Sequence, residues 1–284
     1  MTSQLNDLPT DLAELFADAQ SRRRTLPVSL PPGRTVHSEE GDDDERPALW
    51  LSDGPAPSGL WPDLHAAHAG SGLWPLLLDH LHGAPDRPWA DGELWPASSS
   101  DPAEHDPERL LARWWSDHTT NYEGGEPTRR QLAVTAPYGQ DWPGLAAPAP
   151  PRVAPQEHAD HWAEQLSLAQ PDMRLGLVAA ERGSDALAVL GWQGPVNYTN
   201  DAGRLSAVLR SWEDRFGVRV IGLGFAELYL SVAAPPTTVE EALPIAAEHF
   251  AFCPDNIWQG QSPCTLAGYA DRIVNAPTWA FWWD

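Results

Sequence analysis

The spacing of apolar residues changes along the chain, and each change marks an element. Leu205, Val208, Leu209, Trp212 and Phe216 recur at i, i+3, i+4, i+7 and i+11, the spacing of one helical face. This predicts a helix over 201–216, with Asn200 or Asp201 to cap its start and Gly217 to end it in the left-handed conformation. Shorter apolar runs flank it. RLGLVAA (174–180) and ALAVLGW (186–192) read as a hairpin turned at Gly183-Ser184-Asp185, and VRVIGLGF (218–225) and AELYLSVA (226–233) as two further strands. Thr237 with Glu240 forms a capping-box pattern for a helix through about 251, which Pro244 should kink or split. A helix over 265–275 and a terminal strand, WAFWW (279–283), complete the order ββαββααβ. Strands and helices do not alternate strictly, so the expected class is α+β, a mainly antiparallel sheet packed with helices.

The first half is less regular. Leu5, Leu8, Leu12, Leu15 and Phe16 predict an amphipathic helix over 4–24, with Arg22, Arg23 and Arg24 at its C-terminal end. HSEEGDDDERP (37–47) reads as a solvated acidic loop and ALWLS (48–52) as a short buried strand. GLWP occurs at 59–62 and again at 72–75; a helix lies between the copies, and the second runs into a buried strand. Helices follow at 107–118 and 157–169. APAPPRVAP (147–155) is a linker or a long surface connection. The chain divides on this reading into 1–155, an α/β region with the acidic loop and the Pro-rich linker, and 156–284, an α+β domain.

Charge narrows the partners. The 284 residues carry 18 Arg and no Lys against 40 acidic residues, a net charge of −22. The excess is spread: −6 over 1–60, −8 over 61–150 and −8 over 151–284. Such a surface excludes nucleic acid and anionic membrane as main partners and attracts basic proteins at low salt. No stretch approaches the ~20 apolar residues of a membrane span, and acids precede the first apolar run where a secretory leader needs bases, so the expected location is cytoplasmic.

Candidate chemistry is sparse. Glu248, His249, Cys253 and Asp255 form the densest polar group in an apolar setting, and His249 and Cys253 share a face if the helix continues through both. A thiolate beside an imidazole with a carboxylate to orient it is the layout of a cysteine nucleophile; more commonly such a Cys is a small buried hydrophobe. His249-x3-Cys253-x10-Cys264 and His158-x2-His161 lack the paired knuckles of a zinc site, so no metal is expected. No phosphate loop, dinucleotide fingerprint or serine elbow is present, and no cofactor is expected. Arg210 is set to pair with Asp214 one turn on; alternatively Arg210 or Arg215 clamps an anion in a pocket. Asn197, in an Asn-Tyr-Thr-Asn turn before the clearest helix, offers a donor to a ligand or serves only the turn. Trp282 and Trp283 point to opposite faces of their strand, so one can anchor a partner while the other packs.

The strings LRSWEDRFG (209–217), VAAPPTTVEEA (232–242), AAEHFAFCPDNIWQG (246–260), GYADRI (268–273) and WAFWWD (279–284) resemble the bacterial domain of unknown function 4253 (DUF4253) family, over about 174–284. The resemblance implies a shared fold and no activity. Two functional classes follow from the residues themselves. The first is a non-catalytic protein-binding module, immunity-like or regulatory, for a basic protein. The second is a small hydrolase or transferase using the Cys/His/Glu group.

Overall fold

The computed structural model describes residues 7–16, 24–41, 46–120 and 127–284. The described elements run α1 (Thr10–Ala13), β1 (Gly33–Val36), β2 (Leu49–Pro55), α2 (Leu60–Ser71), β3 (Leu73–Leu78), α3 (Pro107–Thr120), α4 (Arg129–Val134), α5 (Pro155–Ala169) and β4 (Arg174–Ala179). They continue with α6 (Ala186–Leu190), α7 (Ala202–Phe216), β5 (Val218–Leu223), β6 (Glu227–Val232), α8 (Val239–Phe252), α9 (Asp255–Trp258), α10 (Leu266–Ile273) and β7 (Thr278–Trp282).

The strands form one seven-stranded sheet in the order β1-β2-β4-β3-β5-β6-β7. Every neighbouring pair is antiparallel except β3 with β5. The α+β class and the mostly antiparallel sheet are therefore as the pattern predicts. Helices cover both faces, because strand residues alternate sides and both sides are apolar. Leu228, Leu230, Trp279 and Phe281 meet α3, α7, α8 and α10 on one face. Leu73, Leu77, Leu175 and Ile221 meet α1, α2 and α5 on the other.

The sheet does not divide at residue 155. β4 lies between β2 and β3, and β5 joins β3, so strands from both sides of the Pro-rich segment interleave. That segment is a surface connection tied to the body: the amides of Ala149 and Arg152 donate to the carbonyls of Arg215 and Ala233.

Four local expectations are corrected. ALAVLGW is not a strand: a 3-10 turn at Gly183–Asp185 leads into α6, and Gly191 closes it at φ 62°. Both edges of β4 are taken by β2 and β3, so no hairpin partner fits beside it. The order in the C-terminal half thus reads βααββαααβ. The cap of α8 sits one residue later than expected: Thr238 Oγ1 accepts from the Glu241 amide, while the Glu241 carboxylate accepts from Thr237. Pro244 lies in the second turn of α8, and the helix runs unbroken past it to Phe252. Of the helix expected over 4–24, Leu5, Arg22 and Arg23 lie outside the described residues, and within them only Thr10–Ala13 is helical. Residues 42–45 of the acidic loop also lie outside them. Among the described residues no helix is long and apolar enough to cross a membrane.

Candidate functional site

The polar group at the end of α8 separates once it is folded. Glu248 is fully buried and faces α7. Its two carboxylate oxygens receive the Arg215 guanidinium at 2.8 and 2.6 Å, the Trp212 indole N–H at 2.7 Å and the Ala146 amide at 2.6 Å. Arg215 does not clamp an anion in a pocket; it pairs with a buried carboxylate of the chain itself. With four donors around it, Glu248 holds α7, α8 and the segment before α5 together.

His249 turns the other way, into rings. Trp279, Trp212, Phe281 and Tyr269 surround it at centroid distances of 4.4, 4.9, 4.9 and 5.7 Å. Nδ1 meets the Tyr269 hydroxyl at 3.0 Å. Burial, with a lesser push from the Arg215 charge, lowers its pKa to about 3. Cys253 follows the last turn of α8. Its thiol donates to the Trp282 carbonyl at 3.0 Å, and burial pushes its pKa up to about 12. The thiol is therefore neutral near pH 7, and its hydrogen-bond acceptors are the Trp282 carbonyl and Asn256 Oδ1 rather than His249.

Asp255 opens α9 and ties it to two other pieces of chain. Its carboxylate accepts from the Tyr198 hydroxyl at 3.0 Å, from Gln259 Nε2 at 3.1 Å and from the Asp284 amide at 3.1 Å. Asn197 Nδ2 donates to the Asp284 carbonyl at 2.7 Å, so the 193–200 segment and the last residue brace each other. Tyr198 nevertheless stays 40% exposed. Burial and the neighbouring Asp255 carboxylate raise the Tyr198 pKa, so its hydroxyl keeps its proton.

Beside this brace lies a cleft of about 180 Å³, bounded by α3, the 195–199 segment and the end of α8. Trp114, Tyr198, Phe252 and Trp283 supply aromatic walls, and Asp117 and His118 line it too. α3 brings Trp114 and His118 to one side because they are one turn apart. His118 Nε2 faces the Ala251 carbonyl at 3.2 Å and can only donate to it. Burial lowers the His118 pKa, so the ring is neutral and Nδ1 is an acceptor. The rings of Tyr198 and Trp258 stand against His118 at 5.9 and 5.7 Å. Trp258 is 42% exposed.

The remaining nominated residues lie elsewhere. Arg210 pairs with Asp185 before α6, not with Asp214; Asp214 pairs with Arg182. Trp283 is buried against Trp192 and Phe252, whereas Trp282 is 39% exposed on the opposite face. The structure thus brings Asn197, Asp255 and Trp283 to the cleft and its brace. It leaves Glu248, His249 and Cys253 behind in the core, and Arg210 and Trp282 away from both. Sequence reasoning missed His118, Trp114 and Trp258 as a group. The only local signal was the i, i+4 spacing of Trp114 and His118, which equally suits core packing. Among the described residues no three His, Cys, Asp or Glu side chains gather within range of one metal ion.

Residues 174–284 match the family model described as Domain of unknown function (DUF4253), so the C-terminal region carries that domain. No curated protein and no solved structure matches the chain.

Proposed function

We propose that this protein, built around a DUF4253 domain, is a non-catalytic protein-binding module, immunity-like or regulatory, whose partner is a basic protein. The observation that carries this reading is the exposed pair Tyr198 and Trp258, both in edge contact with His118, which lines the cleft together with Tyr198 and Asp117. Large exposed aromatic rings are the usual anchors of protein interfaces. Asp117 lines the cleft, Asp255 and Asp284 lie behind Tyr198, and among the described lining residues there is no Arg. The net charge of −22 extends the same preference to long range.

The nucleophile reading loses support on geometry. It needs an ionisable thiol in contact with an imidazole, and here a neutral buried thiol bonds a carbonyl.

The test is capture of a basic protein by the immobilised full chain from lysate of the source cells. At about 20 mM salt charge attraction reaches well beyond contact range, and at about 0.5 M it is largely screened. The expected result is a retained protein of high isoelectric point that is released as salt rises. Trp258→Ala should weaken its retention about tenfold. Retention of nothing, or retention indifferent to salt, overturns the reading.

A further inference from the structure

We infer that the cleft between α3, the 195–199 segment and the end of α8 receives one cationic side chain, an arginine or a lysine, of the basic partner. The inference rests on the protein-binding reading and specifies the group that is recognised.

Size comes first. At about 180 Å³ the cleft is smaller than the roughly 300 Å³ at which pockets for drug-sized ligands begin. It suits a single side chain. The wall chemistry comes second. Trp114 and Trp283 flank Phe252 at 6.3 and 5.5 Å, and Tyr198 closes the side towards α3. A cation within about 6 Å of such rings is drawn to their faces, and a guanidinium also stacks on them.

Charge comes third and decides the sign. Asp117 lines the cleft, and both Asp117 and Asp255 act electrostatically on His118, which lines it too. The nearest competitor is Arg113, one turn before Asp117 at 3.9 Å. Their side chains are 75% and 51% exposed, so water screens that pair and Asp117 stays available to a ligand. A protonated His118 would repel a cation. Its burial keeps it neutral, and its proton sits on the nitrogen that faces Ala251, which leaves Nδ1 an acceptor. An anionic group would meet the Asp117 carboxylate and no cation among the described lining residues. A neutral apolar side chain would leave the polar atoms of Asp117 and His118 unused.

The experiment titrates the full chain with N-acetyl-arginine amide, N-acetyl-lysine amide and the neutral isostere N-acetyl-citrulline amide, following the indole N–H signals by NMR. Putrescine serves as the free small cation. The two cationic amides should shift the Trp114 and Trp283 signals, and citrulline amide should not. Asp117→Asn should weaken arginine-amide binding about threefold, and Trp114→Leu should remove it. Equal binding of citrulline and arginine amides overturns the inference. So does the absence of any shift at these two indoles up to about 50 mM ligand, since even weak side-chain recognition reaches Kd values in the millimolar range. Putrescine bound a hundredfold more tightly than arginine amide would make the occupant a free cation and overturn it too. The two readings fail separately. A captured basic protein that is retained equally by Asp117→Asn and Trp114→Leu overturns this inference alone, whereas lack of any captured protein overturns the binding reading on which it rests.

Discussion

Three imidazoles are held neutral by burial, and that makes acid the first stress on the fold. His249 is brought down to about 3, and His118 and His65 are lowered as well, His65 against the pull of Asp160 at 2.6 Å. The groups facing His249 are the Tyr269 hydroxyl, four aromatic rings with it and, through its charge, Arg215; none of them carries a negative charge that would stabilise a second ring proton. Below the ordinary value of 6.5 the unfolded chain takes up protons that the folded chain refuses. Stability therefore falls as pH falls, by up to about 1.4 kcal/mol per pH unit for each such ring. For His249 the loss continues until pH reaches its folded value near 3. Melting temperature measured at pH 7 and pH 5 should drop markedly in the parent chain. His249→Gln should narrow that drop, whatever its effect at pH 7. An equal drop in parent and variant would show that His249 does not contribute.

At the scale of elements, legibility followed periodicity. α7 could be read to within a residue because its apolar face repeats over four turns and both of its ends carry their own signals, Asp201 and Gly217. ALAVLGW could not, because a short continuous apolar run suits a buried strand and a buried helix equally. What settles it is long-range: the places beside β4 are filled by β2 and β3. The cleft was illegible for the same reason. Trp114, Tyr198, Phe252 and Trp283 come from four stretches of chain that nothing local relates. One short element does carry a readable task in the structure. Asn256, in α9, uses its side chain as a substitute for an eighth strand: Nδ2 donates to the Ala280 carbonyl at 2.7 Å and Oδ1 accepts from the Trp282 amide at 3.1 Å. These are outward-facing groups of the edge strand β7, and unpaired edges recruit other strands. Asn256→Ala should make self-association more concentration-dependent than in the parent chain, as read by sedimentation velocity. An unchanged profile would mean that the edge is blocked by something other than Asn256.

The whole molecule sets a limit on what its recognisable region can do alone. The family match begins at Arg174, the first residue of β4, and contains β4, β5, β6 and β7. In the sheet, however, β3 stands between β4 and β5, and β2 covers the other side of β4. A chain of residues 156–284 would therefore hold β4 with neither neighbour and β5 with an open edge, and would lose the helix α2, whose Trp61 and Leu64 belong to the same core as Leu175 and Leu177. Single strands without partners do not pay their ordering entropy. The surfaces meant for Trp50, Leu73 and Leu77 would face water as well. We expect residues 156–284 expressed alone to show poorly dispersed amide signals and no cooperative melt, and co-expression with residues 1–155 to restore both. A cooperative transition in the isolated 156–284 chain would show instead that α6, α7, α8 and α10 around β5, β6 and β7 suffice as a core. The interleaving of β2 and β3 would then be an addition to a finished domain, and the three aromatic walls of the cleft that lie within 156–284 could be studied apart from Trp114.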